Sequence, residues 1–198
     1  MAVFATVLRE SSGSCWKAVS EDSSFLIPNR IFVLQKLKED MSLDQNDFEH
    51  LRELCRFDEC SQKALELLGM REHCRFELAR KLYIRGFEAE FVKKALDQLE
   101  VEGALDEVRF CTEFIRSRLK KKPEGRLLME QRLHAKGAER AAACKALDQI
   151  YCEEYSMELA QKAYKQIVQK TSDELKIRAD FAKAGFSSYQ FYVVKENR

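Results

Sequence analysis

The sequence predicts an all-α fold in which three tandem three-helix repeats form an elongated curved array, behind a small N-terminal segment containing a β-hairpin. Three observations carry this. The 198 residues include only two prolines and seven glycines, so long helices meet few breakers. After about Asp58 the composition turns to Ala, Leu, Glu, Lys, Arg and Gln, all strong helix formers. Finally, Gly86, Gly137 and Gly185 recur 51 and 48 residues apart within a shared frame of apolar positions. The expected organisation is an N-terminal segment over 1–57 and repeats over 58–104, 105–152 and 153–198.

Within the first segment, "AVFATVLRE" and "SCWKAV" are β-branched and aromatic runs on either side of the turn-like Ser11 to Ser14. "SFLIP" fits a third short strand that Pro28 stops, and Trp16 is expected to close a small core, with an exposed anchor as the alternative. From Arg30 the spacing becomes helical. Ser42 and Gln45 in "SLDQ" fit a capping box, which predicts a short helix to about Leu54. "FDEC" then leads into a separate helix, Ser61 to Leu68, ended by Gly69.

The repeat supplies the remaining elements. Four residues before each glycine stand Leu82, Leu133 and Phe181; eight before stand Leu78, Met129 and Ile177. Apolar residues at i and i+4 lie on one buried helix face. A glycine just past the helix end can adopt the left-handed conformation of a Schellman cap. The following residue then folds back onto the last turn, so Leu82 should meet Phe87, Leu133 meet Ala138, and Phe181 meet Phe186. Helices should precede each middle helix at Asp58 to Leu68, Asp106 to Lys121 and Glu153 to Gln169. Others should follow at Ala89 to Glu102, Glu139 to Cys152 and Ser187 to Glu196. Asp106 fits an N-cap, and Thr171 to Glu174 fits a second capping box.

Chemistry is harder to find. The chain carries no dinucleotide or Walker loop, no zinc-protease motif and no nucleophile elbow, so no enzyme is expected. The seven cysteines are scattered without a C-x-x-C, and the three histidines keep no ligand spacing. That pattern fits neither a disulfide framework nor a metal site, and no cofactor is expected. No apolar run approaches membrane length, and no signal pattern opens the chain, which points to a soluble cytoplasmic protein.

The overall charge of +1 hides an uneven distribution. Residues 1–62 hold 7 Lys/Arg against 11 Asp/Glu, whereas residues 109–140 hold 10 against 4. Lys81 with Arg85, and Arg132 with Lys136, recur five and one residues before the first two glycines as a basic pair on one helix face. The third repeat has Asp180 and Ala184 there. Glu77, four residues before Lys81, could account for part of this as simple helix pairing. Arg71 and Arg75 lie near the first pair, and Arg116, Arg118, Lys120, Lys121 and Arg126 lie between the two. A stripe of this kind suits a polyanion or an acidic protein groove. A solvated helix face explains any one of these charges equally well.

The stretch "ALELLGMREHCRFELARKLYIRGF", followed by "LDEVRFCTEFIRSRLKKKPEGRLLMEQRLHAKGA", resembles the RecX regulatory family over about Ala64 to Ala138. The motif positions are Arg71, Glu77, Leu78, Lys81, Leu82 and Gly86, then Asp106, Phe110, Leu133, Lys136 and Gly137. This resemblance implies a fold of three tandem three-helix repeats. It also implies binding to the RecA recombinase, in its filament on single-stranded DNA, and restraint of its ATPase, strand-exchange and co-protease activities. Direct DNA contact, a monomeric state and no membrane partner belong to the same expectation. Cys74 and the "KKPEG" segment depart from the family's pattern, as does the missing basic pair in the third repeat. A stand-alone nucleic-acid-binding repeat protein and a generic helical scaffold are the alternatives.

Overall fold

The computed structural model describes residues 4–9 and 15–196. Two compact units emerge: Met1–Leu65 with Leu82–Gln98, and Glu66–Lys81 with Leu99–Arg198. The expected turn at Ser11 to Ser14 lies outside the described residues.

The first unit holds a four-stranded antiparallel sheet in the order β3-β2-β1-β4, made of β1 (Ala5–Arg9), β2 (Trp16–Ser20), β3 (Ser24–Ile27) and β4 (Ser42–Leu43). Val7 stands opposite Ala18, and both are fully buried. Beneath them lie α1 (Asn29–Leu34) and the first turns of α2 (Gln45–Met70), through Ile31, Phe48, Leu51 and Cys55. Trp16 does close this core, with its ring stacked on Phe32 at 3.9 Å.

Two expectations change here. Ser42 is not a cap but part of β4, paired with Thr6. Asp44 takes the capping role instead, its Oδ1 accepting the Asp47 N–H at 2.8 Å. The two short helices expected between Ser42 and Gly69 are one helix of 26 residues. "FDEC" holds no breaker, and Gly69 sits inside the helix with open space around it, so nothing stops propagation there.

The helices that follow are α3 (Arg75–Tyr83), α4 (Ala89–Val101), α5 (Glu107–Leu119), α6 (Arg126–Ala135), α7 (Arg140–Ile150), α8 (Glu153–Val168), α9 (Glu174–Lys183) and α10 (Ser188–Glu196). In the second unit α7 packs on α5 and α6, and α8, α9 and α10 pack on one another. Met129, Leu133, Ile177 and Phe181 share its buried core. Asp106 caps α5 as expected, accepting the Arg109 N–H at 2.9 Å. At α9 the cap is Asp173 rather than Thr171: Asp173 Oδ1 accepts from Leu175 N–H at 3.0 Å, while Thr171 Oγ1 accepts only from Asp173 N–H.

All three glycine corners are Schellman turns. Gly86, Gly137 and Gly185 have φ of 82°, 79° and 89°, a region where a side chain is strained. Their N–H groups each donate at 2.9 Å to the carbonyl three residues back. Phe87 N–H donates to Leu82 O at 3.3 Å, Ala138 to Leu133 at 3.1 Å, and Phe186 to Phe181 at 3.5 Å. The Phe181 and Phe186 rings stack at 4.9 Å, which is the hydrophobic closure expected of this cap. Gly103, with φ 71°, is a fourth glycine in the left-handed region, after α4 and outside the frame of the repeat.

A second recurring contact lies wholly in the second unit. Cys74, twelve residues before Gly86, donates its thiol to Lys136 O at 3.3 Å. Gly125, twelve before Gly137, donates its N–H to Ala184 O at 2.7 Å. Each acceptor stands one residue before the next glycine, so one repeat's middle helix begins against the glycine corner of the next. Only glycine fits at 125, because a Cβ there would lie 2.1 Å from Gly185 O.

Candidate functional site

The predicted basic positions divide by what holds them. Two open the middle helices in equivalent places: Arg75 Nη1 meets Glu100 at 2.6 Å, and Arg126 Nη2 meets Asp148 at 2.6 Å. In the third repeat the same clamp has reversed polarity, with Glu174 bonded to Lys195. These contacts join the start of a middle helix to the end of the helix after it, which gives Arg75 and Arg126 a structural task.

Around the start of α3, Arg71 forms a fork on Glu77, at 2.5 and 3.1 Å. Glu77 Oε2 also lies 3.0 Å from Nδ1 of His73, a histidine only 1% exposed. The other ring nitrogen, Nε2, lies 3.3 Å from Lys81 Nζ. Burial lowers the His73 pKa, outweighing the pull of Glu77, so the ring is neutral near pH 7. Neutral His73 with its proton on Nδ1 donates to Glu77 and accepts from Lys81. Burial works to raise the Glu77 carboxyl, but hydrogen bonds from Arg71 and His73 overcome it and hold the group at about 2. Lys81 is thus braced by a partly buried chain of side chains rather than simply projecting from the helix.

Arg118 and Arg132 converge on Glu124, a carboxylate only 2% exposed. Arg118 Nη2 donates to it at 2.6 Å and Arg132 Nη2 at 3.2 Å. Arg132 Nε is buried 2.9 Å from Glu124 Oε2, yet out of line for a hydrogen bond. Tyr151 donates its hydroxyl to the Glu124 backbone carbonyl at 2.9 Å, tying α7 to the same point. Arg116 reaches Glu113 at 3.1 Å on an open face.

Lys120, Lys121 and Lys136 are exposed and make no ion pair with any described residue. Arg85 and Lys136 sit just past their helices rather than on a helix face, because α3 ends at Tyr83 and α6 at Ala135. The predicted stripe is therefore much less basic than its sequence, since most of its arginines already hold a carboxylate.

Sequence reasoning missed Glu124, His73, and a recurring exposed apolar position. Ten residues before the three glycines stand Phe76, Leu127 and Leu175, which are 59%, 54% and 80% exposed. The same glycine alignment would have found that position. The thiols of Cys55 and Cys111 are pushed up to about 12, chiefly by burial, so they stay protonated and pack as small apolar groups. Among the described residues, no helix is long and apolar enough to cross a membrane.

Comparison with known proteins places this geometry. The family model described as "RecX, first three-helix domain" matches residues 60–99. A regulatory protein RecX from Chlorobium phaeobacteroides is 31% identical over 129 residues, which cover 64% of this chain and 84% of that relative. The chain belongs to the RecX family. A RecX protein from Pelodictyon phaeoclathratiforme is 46% identical over 74 residues, or 37% of this chain. That alignment spans 46% of the relative, and another, to the Chlorobium limicola protein, spans 50%, so the chain covers about half the length of these RecX relatives. A crystal structure titled as regulatory protein RecX superposes with a TM-score of 0.81 at 18% identity, covering 98% of this chain and all of that one. RecX from Lactobacillus salivarius gives 0.64 at 16% identity, over 72% of this chain and 96% of its own. The RecX helical-repeat fold is therefore retained where few residues are.

Proposed function

We propose that the chain is a non-enzymatic, monomeric, cytoplasmic regulator that binds the RecA recombinase in its filament on single-stranded DNA. In this reading it restrains the recombinase, ATPase and co-protease activities of that filament. The observation that carries the reading is the alignment with a regulatory protein RecX over 84% of that relative's length. Charge supports it: Lys120, Lys121 and Lys136 offer cations that no described carboxylate neutralises, and His73 braces Lys81. Acidic protein surfaces and phosphate backbones both attract such groups, at rates that depend on salt. We further read 1–57 as the N-terminal segment and 58–104, 105–152 and 153–198 as the repeats that present the surface, although residue 58 lies inside α2.

A pull-down on RecA assembled along single-stranded DNA tests this, with bare DNA and free RecA as controls. Retention on the filament well above both controls is expected. Retention no greater than on bare DNA would remove the recombinase from the account.

A further inference from the structure

One contact recurs inside the second unit, and each of its halves occurs once more in the chain without the other. Where the first repeat meets the second, Cys74 bonds to Lys136 O, and a Cβ at Gly137 would lie 2.4 Å from the Phe76 ring. Where the second meets the third, Gly125 and Leu127 donate to Ala184 O and Gly185 O. A Cβ at Gly185 would lie 2.5 Å from the Leu128 Cβ. The third repeat offers the same helix start at Asp173 to Leu175, but Leu175 is more exposed than either Phe76 or Leu127. The first corner offers the other half: a Cβ at Gly86 would have no described atom within 4 Å. Arg56 Nη2 holds the Gly86 carbonyl at 3.2 Å without covering that side. Next to this corner Tyr83 is exposed, and Ile84 is 74% exposed. The other two corners carry His134 and Ala135, or Ala182 and Lys183, at those places. Repeat stacks ordinarily close their ends with polar faces, and an apolar end attracts a neighbour.

We propose that these two halves dock on each other between copies of this chain, the α9 start of one copy seating on the Gly86 corner of the next. Leu175 then covers Gly86 and Ile84, which takes apolar surface on both copies out of water. The internal contacts fix the register, because the residue twelve before one glycine meets the residue one before the next. That register sets Asp173 opposite Arg85 of the second copy, a carboxylate against a guanidinium. The two surfaces differ, so the contact is heterologous and adds copy upon copy instead of closing a symmetric dimer. One helix start and one corner are far less than the surface of a permanent dimer. Dilute chains therefore stay single, and copies join only where they are concentrated. The docking needs neither recombinase nor DNA, so it goes beyond the filament reading.

The test is sedimentation velocity of the full chain alone, from about 1 μM to about 1 mM, a span that reaches weak association. Wild type should gain average mass steadily and pass twice the mass of one chain without a plateau. Ile84→Glu and Leu175→Glu each disable one half through an exposed side chain, and each variant alone should stay monomeric. An equal mixture of the two should associate, because each supplies the half that the other lacks, and should stop at dimers. Should either charge disturb folding, as read by circular dichroism, Ile84→Gln and Leu175→Gln take their place. Wild type that stays monomeric throughout would overturn the proposal, as would a plateau at dimers. Association that survives in either variant alone, or a mixture no heavier than its components, would overturn it too. RecA-dependent ATP hydrolysis, followed in parallel, keeps the two readings apart. Inhibition by a chain that never self-associates removes the end contact alone, and self-association without inhibition removes the filament reading alone.

Discussion

Glu77 and His73 give one small region of the chain a defined dependence on pH. The carboxyl is held at about 2 against an ordinary value of 4.5, so its folded pKa is depressed. Its contribution is complete above pH 4.5 and disappears as pH falls towards 2, because the unfolded chain takes up the proton first. His73, lowered by burial, adds a loss in the same direction that begins below its ordinary 6.5. Glu77→Gln should therefore lower stability at pH 7 by on the order of 2 kcal/mol, allowing for screening at the half-exposed Arg71. The variant should also flatten the acid limb between pH 4.5 and 2, as read by urea denaturation across pH. An unchanged acid limb would remove Glu77 as its source. None of this was legible in the sequence, where "REHCRFEL" gives spacing but no burial. Glu124 was hidden for the same reason: a glutamate in "KKPEG" reads as one more surface charge until Arg118, Arg132 and Tyr151 are seen to enclose it.

Helix ends were far easier to read than helix continuity. The three Schellman corners follow from apolar positions four and eight residues before a glycine, a local signal that tertiary contacts reinforce. The short segment from Ser42 failed because strand pairing with β1 outcompeted a weak capping box, and α2 ran on because no residue in it breaks a helix. Long-range closeness left even less trace: Gly125 looks like a loop glycine, yet it meets the Gly185 corner backbone to backbone. Three alanine substitutions separate the physics at work. Gly69→Ala, in open helical space, should stabilise by up to about 1 kcal/mol. Gly86→Ala, also without neighbours but at φ 82°, should cost about 1–2 kcal/mol through backbone strain alone. Gly125→Ala should cost about 3 kcal/mol or more, since its Cβ meets backbone that cannot give way. Urea midpoints followed by helical circular dichroism give the order, and a Gly125→Ala no worse than Gly86→Ala would contradict the stacking contact.

For the whole molecule, the RecX fold is shared with a structure at 18% identity, and in this chain apolar, glycine and capping positions mark its helix ends. Those positions were legible in the sequence. The proposed interaction surface was legible only as charge, and folding assigns much of that charge to ion pairs within the chain. Arg75 and Arg126 hold helices together, while Lys120, Lys121 and Lys136 are exposed and pair with no described carboxylate. The measurement that bears most directly on the proposed role is single-stranded-DNA-dependent ATP hydrolysis by RecA, titrated with this protein. The account predicts hydrolysis that declines with dose to a plateau, and a weaker decline with Lys120→Glu/Lys121→Glu/Lys136→Glu at unchanged helix content. Hydrolysis that stays constant up to saturating protein would contradict it.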